Sequence, residues 1–305
     1  MSDFRIHYLG CGSATPTVRH LPSCQVVEFR GRLMMIDCGE GAQLQFRRQR
    51  LKFSRLNHIF ISHLHGDHFL GLPGLLSTLA LHGVGGTVTV HTFAEGADIL
   101  QRILAVFCRE LGYELKFNII EPKRAVIYSD KSMTVETFPL KHRVPAVGFL
   151  FREHPGERHI IGDMARFLEI PLSQLPAIKA GADFVRPDGS VVPNERITTP
   201  PSPAMSYAYC SDTVFNPAIA DDIRGVNTLY HEATYLDDSA YKAAARGHST
   251  ASQAGRLATL AGAKRLVLGH YSQAYDSDEL FAEEASTTFD GEVIAAHEGL
   301  TIDLK

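Results

Sequence analysis

The sequence predicts an α/β fold on three observations. Short β-rich apolar runs, such as residues 58–62 and 265–268, recur along the chain. Stretches of helical character, at 69–82 and 94–112, lie among them. Residues with metal-ligand chemistry stand just past strand ends, where α/β sheets place their sites.

The whole chain sets the limits. Its 305 residues suit one α/β domain or two small ones. Hydrophobic residues are 45% and charged residues 21%, the balance of a soluble globular protein. No apolar run reaches the roughly 18 residues of a membrane span, and residues 1–5 lack a signal-peptide pattern. The five cysteines are odd in number and form no Cys-x-x-Cys. Free thiols in a reducing cytoplasm are therefore expected, rather than a disulfide framework. A net charge of −4 argues against a surface coated for nucleic acid, though not against a local basic patch.

Taken in order, residues 4–9 and 25–38 are β-rich, and the Gly- and Pro-containing stretch 10–17 between them reads as a loop. Residues 33–41 read as a buried strand ending in a glycine turn. Residues 43–55 read as a helix bearing Arg47, Arg48, Arg50, Lys52 and Arg55, the most basic run in the chain. That run suits either an RNA backbone or a plain solvated face. Strands are expected near 87–92 and 115–120, and an alternating one at 132–140. Residues 151–205 change character: prolines accumulate and apolar periodicity weakens. They read as an inserted arm with a short helix near 163–170 and a turn at 187–189. Such an arm could grip substrate, make a dimer contact or be a tolerated surface insertion. Strands resume at 206–210, 225–230 and 265–268. A helix capped by His248-Ser249-Thr250 runs to Ala261.

The chemistry gathers at His63-Leu64-His65-Gly66-Asp67-His68. This stretch follows a short strand and precedes a helix. His63 and His65, two apart in extended chain, point the same way. Asp67 and His68, after the Gly66 turn, address a neighbouring point. Four ligand-type residues in six positions exceed what a buried polar cluster needs. His142, Asp212 and His270 each stand past another strand end. Two sets follow: His63, His65 and His142, and Asp67, His68 and His270, with Asp212 shared. Imidazole and carboxylate donors favour zinc, with manganese or iron as alternatives.

His-x-His-x-Asp-His with downstream His, Asp and His resembles the metallo-β-lactamase superfamily. That resemblance implies a four-layer α/β/β/α sandwich with a dinuclear site at one edge. Residues 9–17, 36–43 and 139–149, with His231-Glu232-Ala233-Thr234 and His248-Ser249-Thr250, are similar to the ribonuclease Z family over nearly the whole chain. This implies a single domain over 1–305, with 151–205 as an inserted exosite arm that grips tRNA. It also implies a cytoplasmic homodimer holding two Zn2+ per chain. The activity expected is endonucleolytic removal of 3′ trailers from precursor tRNA. Asp67 is the expected proton acceptor and His248, oriented by Glu232, the expected acid. Ser272-Gln273-Ala274-Tyr275 stands where the family often shows Ser-x-Arg-Tyr. That departure keeps a second reading open, a hydrolase of the same fold acting on small phosphodiesters or sulfate esters. A non-catalytic RNA- or metal-binding module is disfavoured by the intact ligand set.

Overall fold

The computed structural model describes residues 4–108 and 110–305. They divide into two compact units, the larger comprising 4–129, 134–151 and 205–305.

The larger unit holds two seven-stranded sheets. Its strands, in chain order, begin with β1 (Phe4–Gly10), β2 (Cys24–Phe29), β3 (Arg32–Ile36), β4 (Leu56–Phe60) and β5 (Thr87–Thr92). Then come β6 (Glu114–Ile119), β7 (Ala125–Ser129), β8 (Met133–Pro139) and β9 (Val147–Glu153). The short β10 (His159–Ile160), β11 (Phe184–Val185), β12 (Val191–Val192) and β13 (Thr198–Thr199) lie in the smaller unit. The last five are β14 (Ser206–Cys210), β15 (Thr228–Glu232), β16 (Arg265–Gly269), β17 (Glu292–Ala295) and β18 (Thr301–Asp303). The first sheet has the order β18-β1-β2-β3-β4-β5-β6, antiparallel through β3 and parallel from β3 to β6. The second has the order β17-β16-β15-β14-β9-β8-β7, parallel from β14 to β17.

The sheets face each other across a layer of large side chains. Phe60 of the first sheet meets Phe149 and Phe151 of the second, each at 5.5 Å between ring centres. Tyr8 lies 6.1 Å from Tyr230. On the outer face of the first sheet pack α1 (Ala42–Arg48), α2 (Gly66–Phe69), α3 (Leu72–Leu81) and α4 (Ala94–Phe107). Phe46, Leu75, Leu79 and Leu100 join Val26, Met35 and Val90 there. The outer face of the second sheet carries α8 (Ile219–Asp222), α10 (Ala251–Ala261) and α11 (Glu279–Ala285), and α9 (Ala240–Arg246) lies in the connection from β15 to α10. The expected four layers are therefore present. They explain why β2 and β14 are buried at every position, as strands covered on both faces must be.

Element ends differ from the sequence reading. The basic helix expected over 43–55 stops at Arg48, and a 3₁₀ turn follows at Phe53–Arg55. No glycine or proline marks this stop. It comes from packing: Phe53 stacks on Phe46 at 4.8 Å, which turns the chain inward to feed β4. The helix expected at 69–82 breaks at Gly71, whose amide donates to the Cys38 carbonyl at 2.9 Å and where a Cβ would meet the backbone of Gly39 and Cys38. The helix at 94–112 ends at Phe107, and part of its expected extension falls outside the described residues. Strand β7 was not anticipated.

The smaller unit comprises 130–133 and 152–204. Its core is Ile170, Ile178, Phe184, Val192 and Ile197. It contains α5 (Gly162–Phe167), α6 (Leu175–Lys179), α7 (Asn194–Ile197) and the β11–β12 hairpin, whose turn includes Gly189 at φ +84°. Buried Asn194 ties it together, donating to the carbonyls of Ile178 and Ala182. Elements of two to six residues leave little periodicity to read. Among the described residues no helix is long and apolar enough to cross a membrane, and all five cysteines are unpaired.

Candidate functional site

The candidate ligands come from four strand ends. His63 and His65 follow β4, and Asp67 and His68 sit on α2. His142 follows β8, Asp212 follows β14 and His270 follows β16. The fold brings all seven together. His270 is held at φ +63°, a conformation that L residues other than glycine rarely adopt.

Their donor atoms fall into two sets. Nε2 of His63 lies 3.1 Å from Nδ1 of His65, which is 3.2 Å from Nε2 of His142. Oδ2 of Asp212 is 3.5 and 3.7 Å from the His63 and His142 nitrogens. In the second set Nε2 of His68 and His270 are 3.3 Å apart, and Oδ2 of Asp67 is 3.6 and 3.4 Å from them. Oδ1 of Asp212 is 3.4 and 3.2 Å from the same pair. A tetrahedral cation bonded at ~2.05 Å needs donors about 3.3 Å apart. Each set meets that requirement, and Asp212 offers one oxygen to each.

The remaining ring nitrogens support this fit. His68 Nδ1 lies 2.7 Å from Asp37, and His142 Nδ1 donates to the Gly247 carbonyl at 2.7 Å. His270 Nδ1 lies 2.9 Å from the Thr234 hydroxyl, and His63 Nδ1 lies 3.0 Å from that of Ser62. Such partners fix the tautomer and aim the opposite nitrogen inward. The charges agree. Burial would raise the Asp212 and Asp67 carboxyls, but the facing histidines hold both below the usual range. Burial, with His63 and His142 adding to it, lowers His65 to about 4. His68, against three carboxylates, is instead raised despite its burial.

Beside these sets stands a second device. Nδ1 of His248 is 3.0 Å from Oε1 of Glu232. Burial alone would lower the His248 pKa; the charge of Glu232 and its hydrogen bond outweigh that and hold it at about 9. Glu232 is fully buried and also accepts from the Thr213 and Thr234 amides and the Thr234 hydroxyl. Both hydrogen bonds of the His248 ring are made by Nδ1, and the residue lines a cleft of about 510 Å³. Arg143 and Arg246 also line this cleft, and the Ala14 amide donates to Asp67 at 2.7 Å.

Several site residues were not singled out from the sequence. Asp37 accepts from the Ser62 amide and hydroxyl and from Tyr209 besides bonding His68. Its position past the end of β3, with φ +55°, follows the same strand-end rule as the ligands. Thr234, Gly247 and Arg246 carry no comparable signal.

The family model described as Anti-Pycsar protein Apyc1 matches residues 4–162. Ribonuclease Z of Parabacteroides distasonis is 49% identical over 305 residues, covering all of both chains. That of Porphyromonas gingivalis strain W83 is 49% identical over 306 residues, again covering both fully. The crystal structure of human tRNase Z, short form, superposes with a TM-score of 0.71 at 26% identity over 99% of each chain. The metallo-β-lactamase fold protein YhfI of Bacillus subtilis reaches 0.68 at 17% identity, also over 99% of each chain, a likeness of fold alone. On full-length identity with curated relatives, the chain belongs to the ribonuclease Z family, the tRNA 3′-processing endoribonucleases of the metallo-β-lactamase fold.

Proposed function

We propose that the protein cuts precursor tRNA at its 3′ trailer, leaving a 3′-hydroxyl on the tRNA and a 5′-phosphate on the trailer. The observation carrying this reading is the pairing of two tetrahedral donor sets, joined through Asp212, with the His248–Glu232 pair at one cleft. His63, His65 and His142 would hold one Zn2+, and Asp67, His68 and His270 the other, with Asp212 shared. When bound, such ions acidify water and neutralise charge on phosphoryl oxygens.

The chain's own residues do the rest. Asp67 takes the proton of the attacking water. The water oxygen forms the new bond to phosphorus as the bond to O3′ breaks. O3′ leaves with the electron pair and takes a proton from His248 Nε2. Glu232 keeps His248 oriented through Nδ1. Arg143 and Arg246 offer charge to phosphates in the cleft. Residues 151–205 are proposed as the arm that grips tRNA, and the active form as a cytoplasmic homodimer.

The test is incubation with a trailer-bearing precursor tRNA, with and without chelator. Chelator-sensitive release of a 5′-phosphorylated trailer is expected. No cleavage, alongside metal-dependent hydrolysis of a small phosphodiester, would overturn the tRNA reading in favour of small phosphodiesters or sulfate esters.

A further inference from the structure

Outside the catalytic cleft, one cavity gathers cations and no carboxylate among apolar and small residues. It measures about 410 Å³, and Arg47, Arg50, Lys52 and His82 line it with Phe53 and no carboxylate. In a chain of net charge −4, residues 41–55 hold five cations and no acid. Arg55 is neutralised by Glu28 at 2.9 Å. The others are not: Arg47 bonds only the His82 ring, at 3.0 Å, and no carboxylate among the described residues pairs with Arg48, Arg50 or Lys52. Because the guanidinium can only donate, His82 Nε2 is the acceptor of this bond. Uncompensated charge thus accumulates in one concavity.

A helix-dipole explanation covers only part of this. Arg47 and Arg48 lie in the last turn of α1, where cations are favourable. Arg50 and Lys52 lie beyond it. Arg50 sits at φ +58°, the left-handed position after a helix that glycine or asparagine usually fills. An arginine there is strained, and its guanidinium is what the position gains.

The cavity also has a fixed relation to the cleft. Glu40 lines the cleft, and α1 begins two residues later and ends at the cavity, about 10 Å on. Leu70 lines the cleft too, and α3 runs about 15 Å from there to His82. The two helices are tied by Thr78 donating to Gln43 at 2.7 Å and by the Arg47–His82 bond. A stacked nucleic-acid strand advances ~3.4 Å per phosphate, so a strand leaving the cleft crosses either helix length within a few nucleotides.

We infer that Arg47, Arg50 and Lys52 form a subsite for a backbone phosphate of the RNA, a few nucleotides from the scissile bond. This rests on the proposed RNA substrate. Arginine forks suit phosphate oxygens, and an open, sequence-blind contact suits a strand that must slide into register.

The test compares Arg47→Ala/Arg50→Ala with a charge-matched control, Arg102→Ala/Lys116→Ala, in metal-loaded protein on precursor tRNA. The first pair should raise KM about tenfold or more with kcat within about twofold. The slope of log(kcat/KM) against log salt should become shallower by about 0.7 to 0.9 per lost contact. The control should leave both unchanged. If wild type cleaves precursor and the two doubles behave alike, the subsite is overturned. If wild type cleaves no precursor, the substrate reading fails, and this inference with it. Calorimetry with inorganic phosphate separates the sources: phosphate affinity lost in the first double while its KM for RNA stays normal would mark a free-anion site and overturn the RNA assignment.

Discussion

The carbonyl of Gly247 accepts a hydrogen bond from Nδ1 of His142 at 2.7 Å. The residue just before the proposed acid His248 therefore also aims a proposed ligand. Gly247 sits at φ +82°, and a Cβ there would lie 2.8 Å from Nδ1 of His142. Gly247→Ala must rotate the imidazole or move the loop. Zinc affinity should fall ten- to a hundredfold, as for lost orienting partners elsewhere, measured by chelator competition. Unchanged affinity would show that the loop adjusts without disturbing His142.

His248 is expected to separate chemistry from metal loading. It lies outside both four-donor sets; its Nδ1 comes within 3.9 Å of Asp212, in a group with His270, but is taken by Glu232 at 3.0 Å. His248→Ala should slow turnover about a hundredfold or more, a typical general-acid contribution. Metal content should remain near wild type. A fast, metal-loaded variant would remove His248 from the mechanism. Glu232→Ala is a poorer probe, since that carboxylate also holds two backbone amides and a hydroxyl.

Asp212 and Asp37 should differ in kind. Asp212 offers one oxygen to each donor set, so Asp212→Ala should empty both positions in elemental analysis. Asp37 touches only His68 among the proposed ligands, so Asp37→Ala should weaken the second position selectively. It should also lower the melting temperature, because it leaves the Ser62 and Tyr209 donors buried without their acceptor. Equal loss of both ions in Asp37→Ala would contradict this division.

The proposed ligands were legible as a cluster because they combine two local signals, a residue type with metal chemistry and a place just past a strand. His142, Asp212 and His270 needed no knowledge of which strands become neighbours. Asp37 carried the same signals, but within a glycine turn that already explained its polarity. Thr234 appeared only as the end of a family-like stretch, with no role read for its hydroxyl, and Gly247 was beyond reach, since it acts through a carbonyl and every residue has one. The end of α1 failed for a related reason. Residues 43–55 hold no breaker, and the stop comes from Phe53 stacking on Phe46, a tertiary contact. The four layers came from the resemblance, since periodicity alone shows strands and helices but not which faces meet.

His20 makes stability depend on pH away from the metal-binding cluster. Nδ1 lies 3.0 Å from Glu298 and Nε2 lies 3.1 Å from Asp278, which also pairs with Arg19. Burial would lower the His20 pKa, but these two carboxylates outweigh it and raise it from 6.5 to about 9. A folded-state pKa above the unfolded one means that folding favours the protonated ring. Its stabilisation is therefore fully present below about 6.5 and fades as pH rises through 9. His20→Gln should melt at a lower temperature than wild type at pH 6, and the gap should close by about pH 10. Because Glu298 also accepts from the Cys11 and Leu21 amides, the variant should keep its fold, which makes the comparison clean. A gap that is constant from pH 6 to 10 would mean that His20 contributes packing alone, with no net gain from its charge.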